Sequence, residues 1–116
     1  MTLSRNFKRS EFACRCGCGF DTVDIETLKI LTRVREHYNK PLFITSGCRC
    51  PKHNAKEGGA PKSYHVQGRA VDFRVAGVKA KEVYDFLDEE YPYQYGLGLY
   101  STWVHLDTRS GKQARW

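Results

Sequence analysis

Apolar residues recur along the chain with the period of an α-helix in two segments. Between residues 24 and 38 they fall three or four positions apart, so one face of this segment is apolar. Residues 79–90 repeat the pattern, and Pro92 follows where such a helix would end. We expect both apolar stripes to face the core. The stripe of the first helix consists of Ile25, Leu28, Leu31, Val34 and Tyr38, and that of the second consists of Val83, Phe86 and Leu87.

Strand patterns lie between and after these helices. Residues 70–75 alternate apolar and other side chains with a period of two. Residues 42–45 are too few for a helix and rich in strand formers, whereas residues 51–56, which begin with proline, suit a short helix. Residues 97–100 and 103–108 predict a closing hairpin. The order α-β-α-β-α-β-β predicts an α+β domain with a short, mostly antiparallel central sheet and helices packed on it.

The length of 116 residues fits one domain and leaves little room for a second. We therefore assign residues 1–116 to a single domain. Within it, residues 1–22 form a cysteine-containing arm without regular structure, which Phe7 and Phe12 would anchor to the core.

Lysine and arginine outnumber aspartate and glutamate by 19 to 13, which gives a formal net charge of +6. This charge favours anionic partners, among them nucleic acid, acidic lipid and cell-wall polymers, but the scattered basic residues do not choose among them. No apolar run approaches the ~18 residues that span a bilayer, and the first twelve residues lack the apolar stretch of a secretory signal. We expect a monomer without stable membrane insertion that is made in the cytoplasm and stays there unless another system exports it.

Five cysteines fall into two tight groups, Cys14, Cys16 and Cys18 and then Cys48 and Cys50. An odd number of cysteines without a secretory signal argues against a complete disulfide framework. Three states stay open: reduced and partly buried thiols, one or two disulfides, or a structural zinc bound by four of the five. Thiolates are good zinc ligands, but CxC spacing is a weaker signal than CxxC.

Two histidines and an aspartate carry the clearest chemistry. His65 precedes the second predicted strand, Asp72 lies on it, and Gly68 permits the turn that lets both side chains converge. The small Ala70 shares the face of Asp72 and leaves space beside its carboxylate. His105, on the last predicted strand, supplies a third donor. Two imidazoles and a carboxylate around Zn²⁺ leave a fourth position for water, which is the pattern of catalytic zinc.

The spacing Ser63-x-His65-x-x-Gly68-x-Ala70-x-Asp72, followed by His105, resembles the zinc D-Ala-D-Ala carboxypeptidase family. This family belongs to a wider group that includes lysostaphin-type peptidases and sonic hedgehog. The resemblance covers nearly the whole chain. Its other segments are Thr45–Asn54, which resembles the SGxRxxxHN stretch of the family, Gly58–Ala60, Tyr95–Gly98, Lys112–Trp116, and the cysteine-rich arm, which is similar to that of small phage and bacterial members.

The resemblance implies a hedgehog- and D-Ala-D-Ala-peptidase-like fold and one catalytic Zn²⁺ held by His65, Asp72 and His105. It also implies that Arg49 binds a substrate carboxylate, to which a guanidinium can donate two parallel hydrogen bonds. Ser63 would form a hydrogen bond near the metal loop or to the substrate.

The chain departs from many relatives at the position of the general base. They carry an acidic residue a few positions before the last histidine ligand, where this chain has Ser101 and Thr102. Asp107, which shares the face of His105 on the last strand, is our candidate for the catalytic base. Its alternative role is to orient a zinc ligand.

Together these features favour a zinc metallopeptidase that hydrolyses peptide bonds in peptidoglycan stem peptides, either as a D-Ala-D-Ala carboxypeptidase or as an endolysin-type endopeptidase. We expect it to reach the cell wall after release by a phage or another lysis system. The alternative is a catalytically inactive zinc- or cell-wall-binding module of the same fold. A zinc-ribbon-like nucleic-acid binder is disfavoured by the CxC spacing and the lack of a basic stripe, so no nucleic-acid partner is expected.

Overall fold

A mixed sheet and three α-helices form the described part of the chain. The computed structural model describes residues 7–19, 21, 23–56, 58 and 63–116. The helices are α1 (Ile25–Tyr38), α2 (Pro51–Lys56) and α3 (Ala80–Glu90), and a 3₁₀ helix covers Arg9–Phe12. The strands are β1 (Leu42–Ser46), β2 (Ala70–Val75), β3 (Gly96–Leu99), β4 (Val104–Asp107) and β5 (Ala114–Arg115).

The strands pair in the order β1-β2-β4-β3-β5. Pairing is antiparallel throughout the four longer strands, and β5 alone pairs in parallel, with β3. The predicted α+β class and mostly antiparallel sheet are confirmed. The sequence pattern does not predict β5, because a strand of two residues carries no periodicity.

One face of the sheet is covered by α1 and α3 and buries the core. The fully buried strand residues on this face are Val71, Phe73, Leu97, Val104 and Leu106. The alternation predicted for β2 is confirmed, since its core-facing side chains are interrupted by Asp72 and Arg74. The opposite face of the sheet is therefore free to carry polar side chains. None of the helices in the described residues combines the length and apolar character that crossing a bilayer requires.

Helix α1 begins where the Asp24 carboxylate accepts a hydrogen bond from the backbone N–H of Thr27 at 2.9 Å, and it ends at Asn39. Its buried residues are Thr27, Ile30, Leu31 and Val34. The predicted stripe is wrong at its start, because Ile25 is 72% exposed. Steps of three residues fall short of a full turn by about 60° each, so Ile25 lies nearly opposite Val34 on the helix.

The N-terminal arm is anchored as expected by Phe7 and Phe12, which are buried with their ring centroids 6.0 Å apart. The prediction that the arm has no regular structure is wrong at Arg9–Phe12, where the 3₁₀ helix is stabilised by Glu11, whose carboxylate accepts the backbone N–H of Lys8 at 2.6 Å. Residues 1–6, 20 and 22 of the arm, and residues 59 and 60 of the glycine-containing stretch, lie outside the described residues.

Candidate functional site

The sheet register brings polar side chains into one row on the face opposite the helices. Asp72 on β2 lies opposite Ser46 on β1 and opposite His105 on β4. Directly paired residues of antiparallel strands project from the same face of a sheet, so these three side chains are neighbours. A register shift between Ile44 and Ser46 marks a bulge in β1, an irregularity that re-aims side chains next to active sites.

His65 reaches this row from the turn that precedes β2. Gly68 adopts a φ of 71° in that turn, a left-handed conformation that favours glycine. The His65 ring is buried, and its Nδ1 lies 2.7 Å from the carbonyl oxygen of Gly47. Because a carbonyl oxygen only accepts hydrogen bonds, Nδ1 carries a proton, and in the neutral ring the lone pair is on Nε2. That Nε2 lies 3.4 Å from Oδ1 of Asp72.

His105 is held between two carboxylates. Its Nδ1 lies 2.9 Å from Oδ1 of Asp72, and its Nε2 lies 2.8 Å from Oδ2 of Asp107. Arg109 in turn donates from Nε and Nη2 to the two oxygens of Asp107, both at 2.7 Å. If Nε2–H stays donated to Asp107, loss of the proton that Nδ1 shares with Asp72 exposes a lone pair on Nδ1 for a metal. A carboxylate commonly orients a metal-binding histidine in this way.

His65, Asp72 and His105 each offer one donor atom, and these atoms lie within 4.8 Å of one another. Two imidazole nitrogens and one carboxylate oxygen form a donor set that suits zinc and leaves a coordination position for solvent or substrate. The second nitrogen of each ring is hydrogen-bonded elsewhere, so Nε2 of His65 and Nδ1 of His105 are the nitrogens that face the shared point. The residues present therefore fit a divalent metal ion, and the structure brings together all three of the ligands that the sequence predicts.

The charges of the site are strongly coupled. Burial opposes ionisation of Asp72, but hydrogen bonds with His105 and His65 outweigh it and lower its pKa to about 2. Burial also disfavours the cationic form of His105, but hydrogen bonds with Asp107 and Asp72 outweigh it and raise its pKa. Asp72 is thus an anionic ligand at neutral pH, and any proton on His105 Nδ1 must leave when a metal binds there.

Asp107 is completely buried, and both of its oxygens are engaged by Arg109 and His105. Burial raises its pKa, but the hydrogen bonds from Arg109 and His105 outweigh that effect and hold the pKa well below the ordinary value. A catalytic base must reach the water molecule whose proton it accepts. This geometry argues against the predicted role of Asp107 as the base and favours its alternative role of orienting His105.

Replacing Asp107 by asparagine is expected to weaken divalent-metal binding at the site, measured with Zn²⁺, by about 10- to 100-fold. An amide cannot accept from Arg109 at both atoms and also accept from His105 Nε2, so the orientation of the His105 ring is lost. The measurement is a competition titration against a chromophoric chelator. The matched control is Asp85→Asn, because Asp85 is an exposed carboxylate paired with Lys81 on α3. Equal zinc affinity of Asp107→Asn and the unmodified protein would contradict the orienting role.

Arg49 lies beside the row with its guanidinium held on three sides. Nε donates to Oγ of Ser46 at 3.1 Å and Nη1 to Oδ1 of Asn54 at 3.4 Å, while Nη2 lies 3.6 Å from Oδ2 of Asp72. The backbone N–H of Arg49 donates to the carbonyl of His65 at 3.0 Å. Its side chain is 17% exposed. Arg49 is thus a positioned cation at the edge of the candidate metal centre.

A family model described as Peptidase M15 matches residues 5–107 of the chain. The chain belongs to the peptidase M15 family. Among curated proteins, this M15 domain is 35% identical over 77 residues to a protein of Haemophilus influenzae named "Probable peptidoglycan L,D-endopeptidase MepK". The match covers 60% of this chain and 40% of that relative. No solved structure gives a significant match.

Ser63, and the pair Ser101 and Thr102, lie outside the row of Ser46, Asp72 and His105. The Oγ of Ser63 accepts a hydrogen bond from the backbone N–H of His65 at 3.2 Å. Of the two roles expected for Ser63, this contact matches the hydrogen bond near the metal loop, and it supports the turn that carries His65. Ser101 and Thr102 lie in the turn between β3 and β4, where they line a surface cavity with residues 77–81. These two side chains therefore belong to the far end of the hairpin from Asp107.

Trp116 is a neighbour of the site that sequence reasoning did not assign. Its ring centroid lies 5.1 Å from that of His105, and its Nε1 donates to the hydroxyl of Tyr100 at 3.0 Å. Gly98, which is paired with His105 in the sheet, makes room for it: a Cβ there would lie 2.5 Å from Trp116 Nε1. The glycines at alternate positions of β3, 96 and 98, are the sequence signal for this packing, because they leave room for large side chains of neighbouring strands on one face of β3.

The five cysteines, all within the described residues, are thiols rather than disulfides. Four of them, Cys14, Cys16, Cys18 and Cys50, bring their sulfur atoms within 4.8 Å of one another. Cys48 is buried and is not part of this group, so the four of the five cysteines that could share a metal ion are the other four. Burial opposes ionisation of Cys14, but hydrogen bonds from the backbone of Cys16 and Cys50 outweigh it and lower its pKa to about 7.

Proposed function

We propose that this chain is a zinc-dependent peptidase that hydrolyses peptide bonds in peptidoglycan stem peptides. The observation that carries the proposal is the convergence of His65, Asp72 and His105 within 4.8 Å in a domain of the peptidase M15 family. The name of the Haemophilus relative supports the choice of substrate. The bond cut is a terminal D-Ala-D-Ala bond in a carboxypeptidase or an internal bond in an endolysin-type endopeptidase.

Some residues of the site would hold the metal ion, and others orient the residues that hold it. His65 Nε2, a carboxylate oxygen of Asp72 and His105 Nδ1 would hold the ion, while the Gly47 carbonyl and Asp107 keep the two imidazoles in the required tautomers. A bound zinc ion supplies Lewis acidity and lowers the pKa of a coordinated water to about 7. Asp107 acts as a positioning residue in this proposal, not as the base.

Arg49 is the proposed binding group for a substrate carboxylate. Free carboxylates are frequent in stem peptides, and a guanidinium held by Ser46 and Asn54 is already turned towards the metal-binding row. Such pre-orientation reduces the conformational entropy that binding would otherwise cost.

Replacing Arg49 by lysine is expected to raise KM for a carboxylate-bearing stem peptide by about 10- to 100-fold with a smaller effect on kcat. Lysine keeps the charge but loses the paired hydrogen bonds, which are worth roughly 1.5–3 kcal/mol. Steady-state kinetics on a synthetic pentapeptide measures both constants. The matched control is Arg74→Lys, on an exposed arginine of β2 that lies over the Phe43 ring. If KM stays the same while kcat alone falls, Arg49 does not bind the substrate.

The proposed function is tested by incubating the purified chain with muropeptides and identifying the products by mass spectrometry. We expect cleavage that stops on chelation and resumes with added zinc. Release of free D-alanine would identify a carboxypeptidase, and shorter stem peptides or separated cross-links would identify an endopeptidase. No cleavage of any muropeptide by the zinc-loaded protein would overturn the proposal.

A second function, a catalytically inactive zinc- or cell-wall-binding module, is favoured by two observations. Both oxygens of Asp107 are hydrogen-bonded to Arg109 and His105, so they are not available to a water molecule. Thr102, which is not acidic, occupies a position where many relatives have an acidic base. The same assay separates the two functions, because the module would bind zinc at the His65–Asp72–His105 site with no turnover.

We also propose that the protein acts as a monomer at the cell wall after release by a phage or another lysis system. The formal net charge of +6 suits association with anionic wall polymers. Pull-down with purified sacculi should show binding that weakens as salt rises. Binding that is absent at low salt, or a dimer in analytical ultracentrifugation, would contradict this picture.

A further inference from the structure

Besides the His65–Asp72–His105 site, the described residues bring together a second group of metal-binding atoms, the cluster of Cys14, Cys16, Cys18 and Cys50. The Sγ of Cys14 lies 3.4 Å from that of Cys16 and 3.9 Å from that of Cys50, and the Sγ atoms of Cys16 and Cys50 are 3.7 Å apart. Four sulfurs bound tetrahedrally to zinc at about 2.3 Å are about 3.8 Å from one another. These three separations are close to the edges of a zinc–thiolate tetrahedron and much longer than the ~2.0 Å of a disulfide, and the Sγ of Cys18 lies within 4.8 Å of the other three.

The backbone around the cluster supports anionic sulfur. The N–H of Cys50 donates to the Sγ of Cys14 at 3.4 Å, and the N–H of His53 donates to the Sγ of Cys50 at 3.4 Å. Gly17, with a φ of 84°, turns the chain between Cys16 and Cys18. This turn lets three cysteines at alternate positions share one centre, which the CxC spacing alone did not predict.

The charge of the surroundings also suits a thiolate site. Four thiolates and one Zn²⁺ carry a net charge of about −2. Arg15, Lys52 and Lys56 line the same cavity as Cys16, Cys18 and Cys50. These cations offset the excess negative charge that a four-thiolate site leaves behind.

The cluster joins two parts of the chain that also meet through the backbone. Three of the cysteines lie in the N-terminal arm, and Cys50 directly precedes α2. Next to the cluster, the N–H of Cys48 donates to the carbonyl of Phe12 at 2.9 Å, and Arg15 donates to the carbonyl of Ile44 at 2.5 Å. The segment so held carries the Gly47 carbonyl that orients His65, and it carries Arg49.

We propose that Cys14, Cys16, Cys18 and Cys50 bind a structural zinc ion that ties the N-terminal arm to the segment between β1 and α2. All four coordination positions are filled by protein, so the ion is structural rather than catalytic. The site stabilises the fold because an unfolded chain does not present the four thiolates together. The proposal does not depend on the peptidase function.

The test uses the double variant His65→Ala/His105→Ala, which removes the other candidate metal site. Purified under reducing conditions, this protein should contain about one zinc per chain by elemental analysis. After exchange with Co²⁺ it should show thiolate-to-cobalt charge-transfer absorption. Adding Cys16→Ser and Cys18→Ser should reduce zinc to near zero without opening a cavity, since both side chains are exposed. Adding Cys48→Ser instead is the matched control and should leave zinc in place.

A stability measurement accompanies the metal analysis. Zinc removal should lower the Tm of the double variant by more than about 5 °C and should leave the Tm of the Cys16→Ser/Cys18→Ser version unchanged. Because His65 and His105 are absent from both proteins, a failed peptidase assay has no bearing on this result.

Two results would overturn the structural zinc. One is a double variant that holds no zinc after purification under reducing conditions, whether its clustered cysteines are recovered as thiols or as disulfides. The other is that complete blocking of the thiols of the zinc-loaded, unmodified chain with a mercurial reagent releases no zinc. The second measurement needs no variant and so does not depend on any substitution folding correctly.

Discussion

Replacing His65 by alanine is expected to abolish zinc binding at the catalytic row and to lower kcat/KM on muropeptides by roughly 10³-fold or more. The reason is that His65 is one of three donors whose ligand atoms lie within 4.8 Å, and two donors do not retain the ion. Metal-assisted hydrolysis depends on the ion for several kcal/mol of charge stabilisation, and each 1.36 kcal/mol corresponds to a factor of ten in rate. The measurements are zinc content after blocking of the thiols, and initial rates of muropeptide cleavage.

The matched control for this substitution is His37→Ala. His37 lies in the last turn of α1, where its ring stacks on Phe86 with centroids 4.0 Å apart, and that helix packs on the other face of the sheet. We expect the control to bind zinc and cleave muropeptides like the unmodified protein. Full activity of His65→Ala, or equal losses in both variants, would contradict the role of His65.

Replacing Gly96 by alanine is expected to destabilise the domain by about 1–3 kcal/mol and to weaken zinc binding by about 10- to 100-fold. A Cβ at this position would lie 2.4 Å from Oδ2 of Asp107, the oxygen that holds His105. Asp107 cannot move aside freely, because Arg109 holds both of its oxygens. The steric conflict therefore reaches the metal site through one hydrogen bond. Thermal unfolding and zinc competition titrations measure the two effects.

A double-mutant cycle identifies the cause of the Gly96→Ala effect. In an Asp107→Ala background the conflicting carboxylate is gone, so Gly96→Ala should cause little further loss of zinc affinity. If the two substitutions weaken zinc binding additively instead, the conflict with Asp107 is not what transmits the effect.

The elements of the fold follow from periodicity, with errors where periodicity is ambiguous or too short. The alternation in β2 correctly separated Val71 and Phe73 from Asp72. The three-residue steps of α1 misplaced Ile25, because steps of that length rotate around a helix rather than along one face. Strand β5 has two residues and depends on parallel pairing with β3, a long-range contact that no local pattern records.

The three candidate metal ligands could be predicted, but the groups that orient them could not. Residue type and strand face predict His65, Asp72 and His105 as candidate ligands, because the ability to donate to a metal is a property of the side chain itself. The partners that set their tautomers are a backbone carbonyl, at Gly47, and a carboxylate whose role depends on burial, at Asp107. Carbonyl direction and burial arise only when the chain has folded. For the same reason the sequence left open whether Asp107 is a base or an orienting group.

The cysteines illustrate the same limit at a second site. Their spacing suggested a metal, disulfides or free thiols, and included Cys48 among the candidates. Membership of the cluster is decided by the turn at Gly17 and by the position of Cys50 at the start of α2, which bring four sulfurs together and leave Cys48 buried elsewhere.

The most direct test of the central claim is anomalous X-ray scattering at the zinc edge from crystals of the zinc-loaded protein. We predict a peak about 2.0–2.2 Å from His65 Nε2, from a carboxylate oxygen of Asp72 and from His105 Nδ1. An ordered His65–Asp72–His105 row with no anomalous peak, or a peak bound by at most one of the three residues, would contradict it.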